Sequence, residues 1–304
     1  MIAENYHHSG RIGPLGIPLM LIGGTITAVV LGMIYAYGLA WIPLIYAAFL
    51  LTAGLGAGIG FAVGICGKWG KVRSPMMIGF FGLLAGVIGL TAGWSFDMMA
   101  KFPEVINGPL LTPTALQAWI EYSYTEGTWG IGRAGNAVTG NFLAAIWVIE
   151  AVVILGLSFY VAYIITASTP FCEQCMAWTT TVKGYAQLFP PEDDDSALDQ
   201  LCGGDVNTIS QFTKAPHSAG AYLRLDVTEC PDCDQCNCMS VALAEVTQDK
   251  NGDNQINTSV LTEHLMLETE AFRSLKEQVD LLQIADNIDT ADDIEDDTAE
   301  DQLE

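Results

Sequence analysis

Four stretches of this chain, residues 17–37, 41–66, 75–94 and 142–166, are long, apolar and nearly free of charge. A helix rises 1.5 Å per residue, so roughly 20 apolar residues cross ~30 Å of hydrocarbon. A water-soluble helix needs a polar face, and these four stretches leave no room for one. They predict an α-helical membrane bundle of four transmembrane helices. Gly38-Leu39-Ala40 is expected to form the turn between the first two. Tyr35, Tyr37, Trp41, Trp69, Trp94, Tyr160 and Tyr163 fall near the proposed ends, where amphipathic rings favour the headgroup layer. The first stretch is longer than a signal-peptide core and lacks a small-residue cleavage site, so it is expected to be retained.

The segment Gly67-Lys68-Trp69-Gly70-Lys71-Val72-Arg73 is the densest basic cluster beside any span. The positive-inside rule puts it in the cytoplasm, with both termini on the same side and the loop 95–141 outside. The chain is then expected to be a multi-pass membrane protein with its N- and C-termini in the cytoplasm. In the outer loop, Thr112 is a candidate cap and Pro113 suits a first turn, ahead of a short helix over 115–122. Gly127, Gly130, Gly132 and Gly135 end that helix.

Two glycine rows mark helix packing. Gly79, Gly82, Gly86, Gly89 and Gly93 recur at steps of three and four, on one face of span three. Gly56, Gly60 and Gly64 form a second row on span two, with Gly54 and Gly58 beside it. In lipid such rows let backbones approach closely. Their readings are packing of spans two and three on each other, an oligomeric interface, or a seam lining a pathway. Glu150 is the one ionisable residue inside a proposed span. It needs a partner, water or a proton. It is either bonded to a neighbouring helix or shallow, or it serves transport.

Charge is just as uneven. Residues 167–304 carry 29 of the 35 acidic and 6 of the 12 basic residues, so the net charge of −23 belongs to them. Repulsion disfavours nucleic acid and anionic lipid there, and favours basic proteins or cations. Pro170 stops span four, and Cys172 and Cys175 follow at C-x-x-C spacing. Cys230, Cys233, Cys236 and Cys238 come later. On the reducing side of a membrane, clustered thiols point to metal rather than disulfides. Two C-x-x-C pairs place four sulfurs around a structural zinc ion. The first pair is Cys172/Cys175; the second is Cys230/Cys233 or Cys233/Cys236, with Cys236 and Cys238 as spares or alternatives. An iron–sulfur cluster on Cys230, Cys233 and Cys236 fits the required spacing less well. Disulfides would require the opposite topology.

Residues 221–227, 239–246 and 260–267 read as strands, with a hairpin turn over 249–254. Asp249, Asn251 and Asp253 match the start of an EF-hand loop, but Asn254 and Val260 break the pattern. Residues 268–284 read as a helix with Phe272, Leu275, Val279 and Leu282 on one stripe. The run 190–195 reads as a solvated acidic loop, and residues 286–304 as a disordered acidic tail. His217 and His264 have no ligand-like spacing to the cysteines.

Residues 6–11 (Tyr-His-His-Ser-Gly-Arg), the Gly70–Arg73 loop and the 171–175 knuckle resemble those of uncharacterised bacterial polytopic membrane proteins. The second cysteine cluster is similar to a zinc ribbon. The resemblance implies no activity. The expected architecture is therefore a transmembrane domain over 1–166, a β-rich, zinc-ribbon-like soluble domain over 167–285, and the tail. No nucleophile–base pair, phosphate loop or open metal site is apparent. The sequence points to a non-enzymatic membrane protein whose zinc-stabilised domain binds a protein partner or a second copy. The alternative is a channel or transporter subunit using Glu150.

Overall fold

The computed structural model describes residues 4–41, 45–102, 113–127, 137–191, 195–216, 219–248 and 254–282. It divides into two units: residues 8–168, and residues 169–304 together with 1–7.

The first unit is helical. α1 (Gly16–Trp41), α2 (Ile45–Trp69), α3 (Pro75–Lys101) and α5 (Gly140–Ala167) are each long and apolar enough to cross a membrane. The shorter α4 (Pro113–Glu126) lies between the last two, with Pro113 opening it as expected; Thr112, Gly130, Gly132 and Gly135 lie outside the described residues. Two expected boundaries shift. Residues 38–40 are helical, and Trp41 closes α1 rather than opening α2. A lone glycine weakens a helix without ending it, and no proline interrupts the run before Pro43. α3 runs seven residues past Trp94 to Lys101, where Lys101 Nζ pairs with Asp97 Oδ2 at 2.9 Å, one turn back.

α1 packs on α2 and α3, and α5 packs on α2 and α3 from the other side. The glycine rows lie inside this bundle. Spans two and three touch each other less than they touch α5, because their glycines face α5. A Cβ added at Gly56 would stand 2.7 Å from the Ile154 carbonyl oxygen, and one at Gly60 2.7 Å from that of Ser158. Gly64 faces Ile165, Gly79 faces Phe159, and Gly82 and Gly86 face Ser158. The α3 row then turns toward other helices: Gly89 abuts Ile59 of α2, and Gly93 abuts Tyr35 of α1. The Ser158 hydroxyl, fully buried, donates to the Gly56 carbonyl at 3.1 Å. The outward faces carry large apolar side chains, among them Ile22, Ile26, Phe49, Leu50, Val148 and Val152. In water these would be a liability; in lipid they are the solvated surface.

At one end of the bundle residues 8–11, the α2–α3 loop and the end of α5 come together. The Gly10 N–H donates to the Arg73 carbonyl at 3.1 Å, and the Arg73 N–H to the Arg11 carbonyl at 2.8 Å. His8 Nε2 lies 3.4 Å from the Ala167 carbonyl.

The second unit is a five-stranded antiparallel sheet in the order β4-β3-β5-β6-β7, preceded by a small hairpin of β1 (Phe171–Cys172) and β2 (Ala177–Trp178). The strands are β3 (Thr180–Phe189), β4 (Thr213–Lys214), β5 (Ala221–Glu229), β6 (Asn237–Gln248) and β7 (Asn254–Leu267). One sheet face buries Leu223, Leu225, Val227, Met239 and Val241 against α6 (Asp195–Cys202), a 3-10 turn and α7 (residues 269–282). Phe272, Leu275 and Val279 form the expected buried stripe of α7. α6 begins at Asp195, inside the stretch read as loop; residues 192–194, His217, the turn 249–253 with its EF-hand-like acids, and the tail from 283 lie outside the described residues.

A short arm, which no pattern in the sequence marks, completes this sheet. Residues 4–6 run antiparallel along the outer edge of β7 through an Asn5–Leu265 bridge. The Tyr6 N–H donates to the His264 carbonyl at 2.8 Å, and the Met266 N–H to the Glu4 carbonyl at 2.9 Å. The start of the chain thus belongs to this unit rather than to the transmembrane domain.

The packing makes a paired prediction. Gly60→Leu overfills the α2–α5 contact and should destabilise the protein by about 1–3 kcal/mol. Gly54, which faces open space, should tolerate leucine. Thermal unfolding of both variants in detergent checks this; equal midpoints would contradict it.

Candidate metal centre

Two tight turns supply the thiols. After Pro170 ends the preceding helix, β1 and β2 pair with Phe171 opposite Trp178 and Cys172 opposite Ala177. Met176 takes φ 53°, the left-handed conformation that lets the chain reverse just beyond Cys175. The Thr179 hydroxyl donates to the Pro170 carbonyl at 2.8 Å, and the rings of Phe171 and Trp178 meet edge-on at 4.9 Å. The second turn is the connection between β5 and β6. Their register, ending at Thr228 opposite Cys238, leaves residues 230–236 as the loop. Asn237 Nδ2 and the Thr269 hydroxyl both donate to the Asp234 carbonyl, at 2.8 and 2.6 Å, and hold that loop.

These turns bring Cys172, Cys175, Cys230 and Cys233 together, with all four sulfurs within 4.8 Å of one another. The structure therefore selects Cys230/Cys233 as the second pair. Cys172 and Cys233 sulfurs lie 3.6 Å apart. Sulfurs at the corners of a zinc tetrahedron with ~2.3 Å bonds lie roughly 3.8 Å apart, so the donor set fits a tetrathiolate ion. All eight cysteines are free thiols. Cys236 and Cys238, counted among the ligands on sequence grounds, do not belong to the four. Register decides this: Asn237 opens β6, so Cys238 is fixed in the sheet opposite Thr228 and Met266. Cys236 packs beside Cys172 and Cys230, and its sulfur hydrogen-bonds that of Cys238. The C-x-x-C-x-x-C run thus has only two of its three cysteines, Cys230 and Cys233, in the group.

Hydrogen bonding to Cys233, then burial, holds the Cys175 thiol above the usual thiol range. In the other pair, the shared hydrogen bond raises Cys238 and lowers Cys236. Tyr6 closes the first turn from the arm: its hydroxyl donates to the Phe171 carbonyl at 3.3 Å and accepts from the Phe171 N–H at 3.0 Å. Burial pushes this phenol up to about 12, so it stays neutral at physiological pH. No spacing rule marks Tyr6 in the sequence, since its partner is 165 residues away.

Glu150 is half-buried on α5 and is less isolated than the sequence implies. The extension of α3 brings Asp97 within electrostatic reach of it, and Tyr35 of α1 also feels both carboxylates. His264 sits in β7 with its N–H bonded to the Ser240 hydroxyl, outside the thiol group.

No protein family matches this chain, and neither does any curated protein or solved structure.

Four thiolates around one ion leave no position for substrate, so such a centre stabilises the fold. Cobalt(II) titrated into the purified protein should give the absorption of one tetrahedral tetrathiolate per chain. Cys172→Ser or Cys233→Ser should abolish that band, and Cys238→Ser should keep it. Metal binding must displace thiol protons, Cys175's above all, so affinity should fall as pH falls. A pH-independent affinity, or a band that depends on Cys238, would contradict the assignment.

Proposed function

We propose that this chain is a non-enzymatic protein of the bacterial inner membrane, anchored by four helices, whose cytoplasmic zinc-stabilised domain binds a protein partner. The observation that carries this reading is the closed tetrathiol group on the same chain as four lipid-compatible helices. A closed site points to a structural ion, and free thiols suit the reducing cytoplasm. The orientation draws support from the bundle end that gathers Arg11, Lys68, Lys71 and Arg73 beside the start of the chain and the end of α5. An even number of spans returns the chain to the side where it began, as the pairing of residues 4–6 with β7 requires. The excess of acidic side chains argues against nucleic acid as the partner.

A second reading, a channel or transporter subunit, draws on the neighbourhood of Glu150, Asp97 and Tyr35. The two separate in reconstituted vesicles. Transport requires an ion flux that Glu150→Gln abolishes; an anchored binding module gives no flux and keeps its zinc in that variant. Orientation is checked in intact cells by an impermeant amine reagent, which should leave Lys68 and Lys71 unlabelled and modify Lys101. Labelling of Lys68 and Lys71 from outside would reverse the topology and remove the reducing environment on which the zinc reading depends.

A further inference from the structure

The outer edge of β7 carries a surface that the metal centre does not use. β7 ends the sheet order, and its first nine residues, 254–262, pair with β6 on one side only. Among the described residues no strand covers the other side of that stretch. Residues 255–261 are all exposed, with Ile256 at 56 % and Val260 at 59 %. These two share a sheet face with Thr258 between them, opposite Val246, Ala244 and Ala242. Unpaired backbone N–H and C=O groups on such an edge are a template for another strand.

Native edges are usually protected by charge, proline or a bulge. A bulge at Leu261 interrupts the ladder, but ahead of it residues 254–260 pair regularly with β6 and contain no charged residue and no proline. That is unusual in a chain with a net charge of −23. A basic partner would gain most from the acidic surfaces elsewhere and least here. A second copy has the opposite requirement. It repels its twin wherever both are acidic, and can approach only along an uncharged seam. Asp253 and Glu263 bound the stretch in sequence, and the nearest acid within the sheet is Glu245 of β6, opposite Asn257 and so on the other face from Ile256 and Val260. The same edge already accepts an antiparallel strand at its far end, where Asn5 bridges Leu265.

We propose that residues 256–260 of β7 pair antiparallel with the same residues of a second copy, across a two-fold axis near Thr258, so that two sheets join edge to edge. An isologous contact of this kind is self-complementary and closes as a dimer. Ile256 and Val260 of each copy then meet across the seam, and edge N–H and C=O groups exchange hydrogen bonds. The proposal rests on the reading of this domain as a protein-binding module, and names its partner.

The test places a photo-activated benzoylphenylalanine at Thr258 of the full-length protein in native membranes. The expected product is a covalent dimer of twice the chain mass. Adding Ile256→Lys and Val260→Lys puts four cations into the seam and should cut its yield at least ~10-fold. Val182→Lys, at another exposed apolar position, on β3, should not. The cobalt tetrathiolate band reports folding in each variant. A retained band with no dimer, or with cross-links only to another protein or to lipid, overturns the homodimer and leaves the zinc reading standing. Loss of the band in the parent protein would overturn the zinc reading instead.

Discussion

Helix α5 can seat between α2 and α3 only because no side chain stands in the way. Gly56 and Gly60 on one neighbour and Gly82 on the other bring main chains to van der Waals distance at Ile154 and Ser158. In lipid there is no hydrophobic gain from burying one apolar helix against another, so close packing and hydrogen bonds must supply the cohesion. Ser158 contributes both: its backbone fills the space that the glycines leave, and its hydroxyl satisfies the Gly56 carbonyl. Those rows are spent on contacts within one chain, which leaves the broad outer faces for lipid.

The soluble unit solves a different problem. Its sheet has one face covered by α6 and α7, and the β1–β2 hairpin, with Phe171 and Cys172 buried, lies outside that core. An ion held by the four thiols would join that hairpin to the β5–β6 loop, and so tie together segments about 60 residues apart in sequence. Joining distant turns removes conformational freedom that the core would otherwise have to overcome.

Much of this was legible from residue order, for reasons that can be stated. The four spans follow from length and the absence of charge, and the Phe272–Leu275–Val279 stripe from helical period. The Cys172/Cys175 pair was evident, but the choice between Cys230/Cys233 and Cys233/Cys236 was not. It depends on where β6 begins, which no local spacing encodes. β3 escaped notice because a bulge between Val182 and Ala186 breaks its alternation. Gly184 there takes φ +66° and donates its N–H to Asp226 at 2.7 Å. The helix ends were misjudged at Gly38 and Trp94, where apolar continuity outweighed the punctuation. Asp97 entered the neighbourhood of Glu150 for that reason alone.

The strand formed by residues 4–6 has a consequence for biosynthesis. Asn5 leaves the ribosome first, yet its partner Leu265 is made about 260 residues later. At typical elongation rates the leading segment waits on the order of 10–50 s with its backbone bonded only to water. All four hydrophobic helices are synthesised in that interval. The end of β7 at residues 264–266 therefore cannot receive this arm until threading into the bilayer is nearly done, which makes the final pairing of a water-exposed fold contingent on insertion.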